Sequence, residues 1–174
     1  ALTIACSGID ARVAKDVHKF SESPILDGKS SYIVSLAVNF LFKGIGTHWT
    51  VTLDGVSVEK DYAVVAVCNG RYYGGGFNPS LTARPDDGEL DFFITRRVSL
   101  PVLAVLIGKY AKGRADELSQ YITHLKGTEI EIGFDEDNVV NIDGEALYAK
   151  RVRIRLVPGA ANLIVPKGMK FFNA

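Results

Sequence analysis

Two carboxylates separated by one glycine, Asp143-Gly144-Glu145, are well suited to handle a proton. If the strand that ends here stays regular through Gly144, both side chains point to the same face. One could then accept the proton of an attacking hydroxyl while the other orients that hydroxyl or a magnesium ion, the division of labour that phosphoryl transfer requires. Asp-Gly is equally the chemistry of a tight turn, so the spacing leaves both readings open. A second candidate is Arg84-Pro85-Asp86-Asp87-Gly88-Glu89. Proline presets φ there and glycine closes a bend, and adjacent carboxylates beside free carbonyls suit hard cations, which take oxygen ligands. A third begins where a β-branched strand, residues 62–68, runs into Asn69-Gly70 and then three successive glycines, Gly74, Gly75 and Gly76. With no Cβ in the way the backbone can be approached closely, and its N–H groups could meet phosphate. Asp10 stands at the head of a helical pattern, where the macrodipole favours a carboxylate.

The elements that must position these residues are mostly strands. Alternation of apolar and polar residues predicts strands over 47–53, 56–59, 62–68, 90–95, 128–134, 139–142 and 151–157, with a short one at 146–148. Asp54-Gly55 is a hairpin signal, and Asp143-Gly144 either repeats it or caps a strand. Helical spacing appears over residues 10–20 and 30–42. A third helix should start at Ser99, with Pro101 in its first turn and Gly108 or Gly113 ending it, followed by a short turn over 116–120. The expected fold is mainly β (α+β): an antiparallel β-sandwich with two or three peripheral helices in a single domain spanning residues 1–174.

These blocks resemble the C-terminal half of the diacylglycerol kinase and sphingosine kinase superfamily, especially its soluble bacterial lipid kinases. Asn69-Gly70, Gly74-Gly75-Gly76, Pro79, Ala83, Asp87-Gly88 and Leu90-Asp91 follow the pattern "NG...GGG..P.A...DG.LD". The segment Ser7-Gly8-Ile9-Asp10-Ala11-Arg12-Val13 is similar to the family's "GfDAeV", and Asp143-Gly144-Glu145 to its "DGE". The family's nucleotide-holding "GGDGT" loop does not occur in this sequence, and the chain opens at Ala1 within an apolar, strand-like segment. The resemblance therefore implies a C-terminal domain whose N-terminal nucleotide-binding domain is absent from this chain, and a fragment inactive by itself.

What the resemblance implies about chemistry is specific. The full-length protein would be an ATP-dependent lipid kinase phosphorylating a hydroxyl such as that of diacylglycerol. Asp143 is the expected base, with Glu145 contacting nucleotide or metal; the reverse assignment stays open. Asn69 and Gly74 to Gly76 would form the cofactor-side wall, and Asp10 the substrate side. Magnesium would be held by the Asp87 side chain with the main-chain carbonyls of Arg84 and Glu89, and ATP mainly by the missing domain. Partners would be that domain, lipid at a membrane surface and, as a further possibility, a second copy of the chain. The alternative from another class is a non-catalytic lipid- or protein-binding sandwich.

Composition narrows these choices. In 174 residues, 20 Lys and Arg balance 20 Asp and Glu, so no global field draws the chain to nucleic acid or to an anionic bilayer. Cys6 and Cys68 lie in strand-like apolar surroundings and read as buried reduced thiols, which suits the cytoplasm. The longest apolar stretch, residues 32–42, is too short to cross a bilayer, so any membrane contact would be peripheral. Lys150, Arg151, Arg153 and Arg155 alternate with apolar residues, as a solvated strand face does; an anionic headgroup patch is the functional reading. His18, His48 and His124 lack zinc-ligand spacing, and Ser7 lacks a nucleophile elbow.

Overall fold

A computed structural model describes residues 3–8, 11, 47–72, 78–110, 114–162, 164, 166 and 167. Seven strands form one antiparallel sheet: β1 (Ile4–Gly8), β2 (Thr47–Leu53), β3 (Val56–Cys68), β4 (Leu90–Arg96), β5 (Ile122–Gly127), β6 (Glu129–Ile142) and β7 (Glu145–Arg155). β3 pairs with β2 along its first half and with β1 along its second, and β6 does the same. The short strands β1 and β2 therefore lie end to end between two long ones. Across the sheet the order is β5, β4, β3, then β1 with β2, then β6 and β7. The mainly β, antiparallel architecture expected from the sequence is the one found.

Three pairs of predicted strands are single continuous strands. Residues 56–59 and 62–68 merge into β3, 128–134 and 139–142 into β6, and 146–148 and 151–157 into β7. None of the breaks is a turn: in β3 the polar pair Lys60-Asp61 interrupts the apolar pattern while its ladder with β2 runs on, with a register shift just after it between Tyr62 and Val64, and in β6 and β7 the register shifts between Gly133 and Asn138. A bulge bends a strand and increases its twist, which lets a long strand serve two parts of a curled sheet. Both two-residue hairpins are as the sequence suggests. Asp54 and Gly55 have φ of 46° and 84°, Asp143 and Gly144 have 49° and 102°, and a type I′ turn needs positive φ at both central positions.

Period-2 alternation splits the core in two. Ile4, Cys6, Ala66, Cys68, Phe93 and Val139 face one cluster, while Ala5, Val65, Val67, Phe92, Ile132 and Val140 face the other. Helix α1 (Leu100–Tyr110) covers the first, through Leu103 and Leu106. The Ser99 carbonyl accepts the N–H of Leu103, so the start is as expected, and the helix passes through Gly108 without ending. A 3-10 turn at Ala115–Leu118 follows it. The helical patterns over 10–20 and 30–42 lie outside the described residues, apart from Ala11. Cys6 and Cys68 are buried in the first cluster and form no disulfide. No described helix is long and apolar enough to cross a membrane.

The second cluster is centred on Trp49, which meets Phe134 edge-on with ring centroids 5.2 Å apart. Gly8 ends β1 against that indole. Its φ is 97°, and a Cβ there would sit 2.2 Å from the Ala63 carbonyl oxygen and 2.7 Å from the Trp49 ring. Gly8→Ala should therefore add left-handed strain to overpacking and cost about 3 kcal/mol or more of stability. Urea unfolding checks this; a midpoint shift no larger than that of an exposed alanine substitution would refute the packing argument.

Candidate functional site

Thr3, at the threshold of β1, gathers the sequence motifs. Its carbonyl accepts the N–H groups of Asn69 (2.8 Å) and Gly70 (3.1 Å), and its own N–H and hydroxyl donate to Asp143 Oδ1 at 3.1 and 2.7 Å. Ile4 N–H donates to the same oxygen at 2.9 Å, while Asp143 N–H returns a bond to the Ile4 carbonyl at 3.0 Å. The hairpin explains this geometry: left-handed φ at Asp143 turns its carboxylate back onto β1, and Asn141 Oδ1 holds the turn by accepting Gly144 N–H at 3.1 Å. Asp143 and Glu145 therefore do not share the face of a regular strand. Asp143 occupies the turn, with one oxygen engaged by three donors; Glu145 opens β7 opposite Ile142 and is exposed.

Close by is a cleft of about 460 Å³ whose lining includes Thr3, Asn69, Val67 and Leu90 on one side and Ile154 and Leu156 on the other. It opens into the second apolar cluster, and its volume is in the range of small-molecule sites. Pro85, Asp86 and Gly88 form part of its wall. The turn that carries them is tied down on two sides. Arg71 Nε donates to the Ala83 carbonyl at 3.2 Å, and Ser80 Oγ accepts the N–H groups of Ala83 (2.8 Å) and Thr82 (3.2 Å). Arg84 grips Asp86 in a bidentate pair, both contacts 3.0 Å, which holds the Asp86 carboxyl below the usual carboxylate range.

Behind the turn lies a polar cluster that hydrophobic patterning does not signal. Asp91 is fully buried in β4; its Oδ1 meets His124 Nε2 at 2.6 Å and accepts from Thr82 Oγ1 at 3.3 Å. His124 stacks on Phe93, centroids 4.3 Å apart. Lys126 lies directly opposite Asp91 and reaches Glu89 Oε2 (3.2 Å), Asp87 Oδ2 (3.4 Å) and Asp91 Oδ2 (4.0 Å). Burial works against the Lys126 ammonium, but the Glu89, Asp91 and Asp87 carboxylates outweigh it and raise its pKa above the usual lysine value. Asp87 Oδ1 accepts Glu89 N–H at 3.0 Å, so both carboxylate oxygens of Asp87 already have donors. A magnesium ion on the Asp87 side chain would have to share it with that ammonium, and among the described residues no His, Cys, Asp or Glu group is gathered to hold a metal.

The structure thus brings Asn69, Asp143 and the 84–89 turn to one end of the sheet. Asp10, Gly74, Gly75 and Gly76 lie outside the described residues. The cationic strand is a paired surface for half its length: Arg151 meets Glu131 at 3.4 Å and Arg153 meets Glu129 at 2.9 Å across the β6–β7 ladder. Thr3, His124 and Lys126 were not signalled by spacing. Asp91 was visible only as the last residue of the "DG.LD" block.

Comparison with known proteins agrees with this architecture. The model of the YegS C-terminal NAD kinase beta sandwich-like domain matches residues 3–165. A Staphylococcus epidermidis protein named "Putative lipid kinase" is 29% identical over 157 residues, covering 90% of this chain and 50% of that protein. A Staphylococcus aureus protein of the same name is 28% identical, covering 94% of this chain and 53% of its own length. The chain spans about half the length of the curated relatives it matches. Among solved structures, one described as a "putative diacylglycerol kinase from Bacillus anthracis" aligns with a TM-score of 0.60 at 27% identity, over 90% of this chain and 49% of that one. A second Bacillus anthracis structure, titled as a diacylglycerol kinase, has a TM-score of 0.56 at 20% identity over 88% of this chain and 45% of that one, a likeness of fold.

The knot at Asp143 predicts an asymmetry between two substitutions. Asp143→Ala leaves the Thr3 and Ile4 donors without their acceptor and should cost about 2 kcal/mol or more. Asp143→Asn keeps an oxygen there and should cost less than half of that. Denaturant unfolding of both variants checks the order; equal losses would mean that the carboxylate does not anchor β1.

Proposed function

The chain belongs to the family of YegS C-terminal NAD kinase beta sandwich-like domains, and from that premise we propose that it is the acceptor half of an ATP-dependent lipid kinase. The observation that carries this reading is the hydrogen-bonded junction at Thr3, where the Asn69-Gly70 and Asp143-Gly144-Glu145 blocks meet at the wall of an apolar cleft. An amphiphile suits that cleft: its apolar part would enter between Val67, Leu90, Ile154 and Leu156, and its hydroxyl would stay near the polar rim. Asp86 and Arg155 are the charged side chains among the described lining residues, and Asp86 is already gripped by Arg84. Diacylglycerol is the acceptor that the relatives' names suggest.

Within the carboxylate pair, the roles divide by availability. Asp143 has one oxygen committed to three donors and acts by positioning β1 and the turn. Glu145, exposed and two residues further on, is the carboxylate left to accept the proton of the acceptor hydroxyl. Positioning and charge stabilisation dominate phosphoryl transfer, and the groups that hold ATP and its magnesium would come from a nucleotide-binding domain outside these residues. Asn69 and the glycines Gly74 to Gly76 would face that domain, and Asp10 the acceptor. Acting on a lipid, the assembled enzyme would work at the cytoplasmic membrane surface as a peripheral protein.

The test joins the chain to its nucleotide-binding domain and follows ATP-dependent phosphorylation of diacylglycerol in mixed micelles. Glu145→Gln should lower kcat by roughly a hundredfold to ten-thousandfold, the usual contribution of a general base, with an unchanged melting temperature. The isolated chain should phosphorylate nothing. Full activity of Glu145→Gln would remove it as the base, and absence of any lipid phosphorylation by the joined protein would favour a non-catalytic binding module.

A further inference from the structure

The 84–89 turn carries more negative charge than its own residues can balance. Arg84 is spent on Asp86, which leaves Asp87 and Glu89, and the buried Asp91 lies just beyond on β4. Asp91 Oδ2 is buried and has no hydrogen-bond donor. An ionised carboxylate out of water is costly unless a counter-charge is near. Three carboxylate oxygens, one from each of these residues, converge on one spot, and Lys126 Nζ occupies it, 3.2, 3.4 and 4.0 Å away. Two of these oxygens, on Asp87 and Glu89, accept hydrogen bonds from the ammonium, and the third, on Asp91, meets it as a charge at 4.0 Å. The lysine is delivered by register: Asp91 and Lys126 are opposite one another in the β4–β5 ladder, and Glu89 directly precedes that strand.

We propose that Lys126 is a tethered cation: its ammonium takes the place of a metal ion at the 84–89 turn and fixes that wall of the cleft without one. Lys126 then offsets part of that charge from within the chain, and the cleft wall keeps its shape whatever the concentration of free divalent cation. Lys126 is a positioning residue in this arrangement. It acts through Asp87 and Glu89 on the segment that carries Pro85, Asp86 and Gly88 to the cleft.

Thermal unfolding of the chain in chelator, in millimolar magnesium and in millimolar calcium tests this, with Lys126→Met, Lys126→Arg and the double variant Lys126→Met with Asp87→Asn. The native chain should melt at the same temperature in all three conditions. Lys126→Met keeps the aliphatic stem but loses the charge; in chelator it should melt about 4 °C or more lower, and calcium should return at least half of that loss by binding the native state in the vacated place. Lys126→Arg should stay within about a degree of the native chain, since a cation remains facing the three carboxylates. Adding Asp87→Asn should abolish the recovery by calcium. A magnesium- or calcium-dependent rise in the native chain would overturn the proposal, because it would place a metal at the turn beside the lysine. So would a Lys126→Met variant that melts like the native chain, or one that neither cation restores, since the lysine would then be dispensable or a packing element only. None of these readouts depends on kinase activity, so failure here leaves the acceptor-domain reading standing, and failure of that reading leaves this one.

Discussion

Everything at the candidate site depends on where β1 begins. This strand has five residues, all buried, and it lies in the interior of the sheet between β3 and β6. So short a strand has few ladder bonds of its own, and its ends must be fixed by something else. Asp143 fixes the start by accepting Thr3 and Ile4 on one oxygen; Gly8 fixes the end by letting the Trp49 ring close over a position without a side chain. The same Thr3 whose N–H and hydroxyl reach Asp143 offers its carbonyl to Asn69 and Gly70. One residue thereby couples the end of β3, the β6–β7 hairpin and the wall of the cleft.

The site is assembled from opposite physical regimes. On the cleft side, apolar residues from β1, β3, β4 and β7 leave an opening into the second core cluster, where burial of an apolar chain would be favourable at about 25 cal/mol per Å². On the other side of the 84–89 turn, Asp91, His124 and Lys126 form a polar cluster in which the low dielectric makes each contact stronger and each missing partner costlier. The turn between them belongs to both: Asp86 and Gly88 reach the cleft while Asp87 and Glu89 face the lysine.

How much of this was legible varies with the signal. β2 was predicted to the residue because Thr47–Leu53 alternates cleanly and ends in Asp54-Gly55, whose type I′ geometry the chain adopts. β5 was missed. Its residues Thr123 to Lys126 are exposed, among the described residues it pairs only with β4, and His124 and Lys126 turn toward the carboxylate of Asp91, so polar residues stand where alternation expects apolar ones. β6 and β7 each look like two strands because an irregularity breaks the period of two without ending the strand, and β3 does because Lys60-Asp61 stand within it. Ser99 and Pro101 marked the start of α1, but Gly108 did not stop it, since the cost of one helical glycine, about 1 kcal/mol, is small beside the burial of Leu103 and Leu106.

By itself the sequence determined the class of fold, the hairpins at Asp54-Gly55 and Asp143-Gly144, and the short blocks that resemble the family's motifs. These follow from local rules: side-chain period, the φ that Asp-Gly turns accept, and residue types whose chemistry does not depend on neighbours. Only the tertiary structure decided which donors each carboxylate meets. Asp143 and Glu145 look alike in sequence, yet three donors at the start of β1, 139 and 140 residues away, claim one of them, while the other opens β7. Asp87 looks free in its turn, yet β5 brings Lys126 to it from 39 residues away. The availability of a carboxylate is set by which donors surround it in space, and those donors come from strands whose register is fixed by the whole sheet.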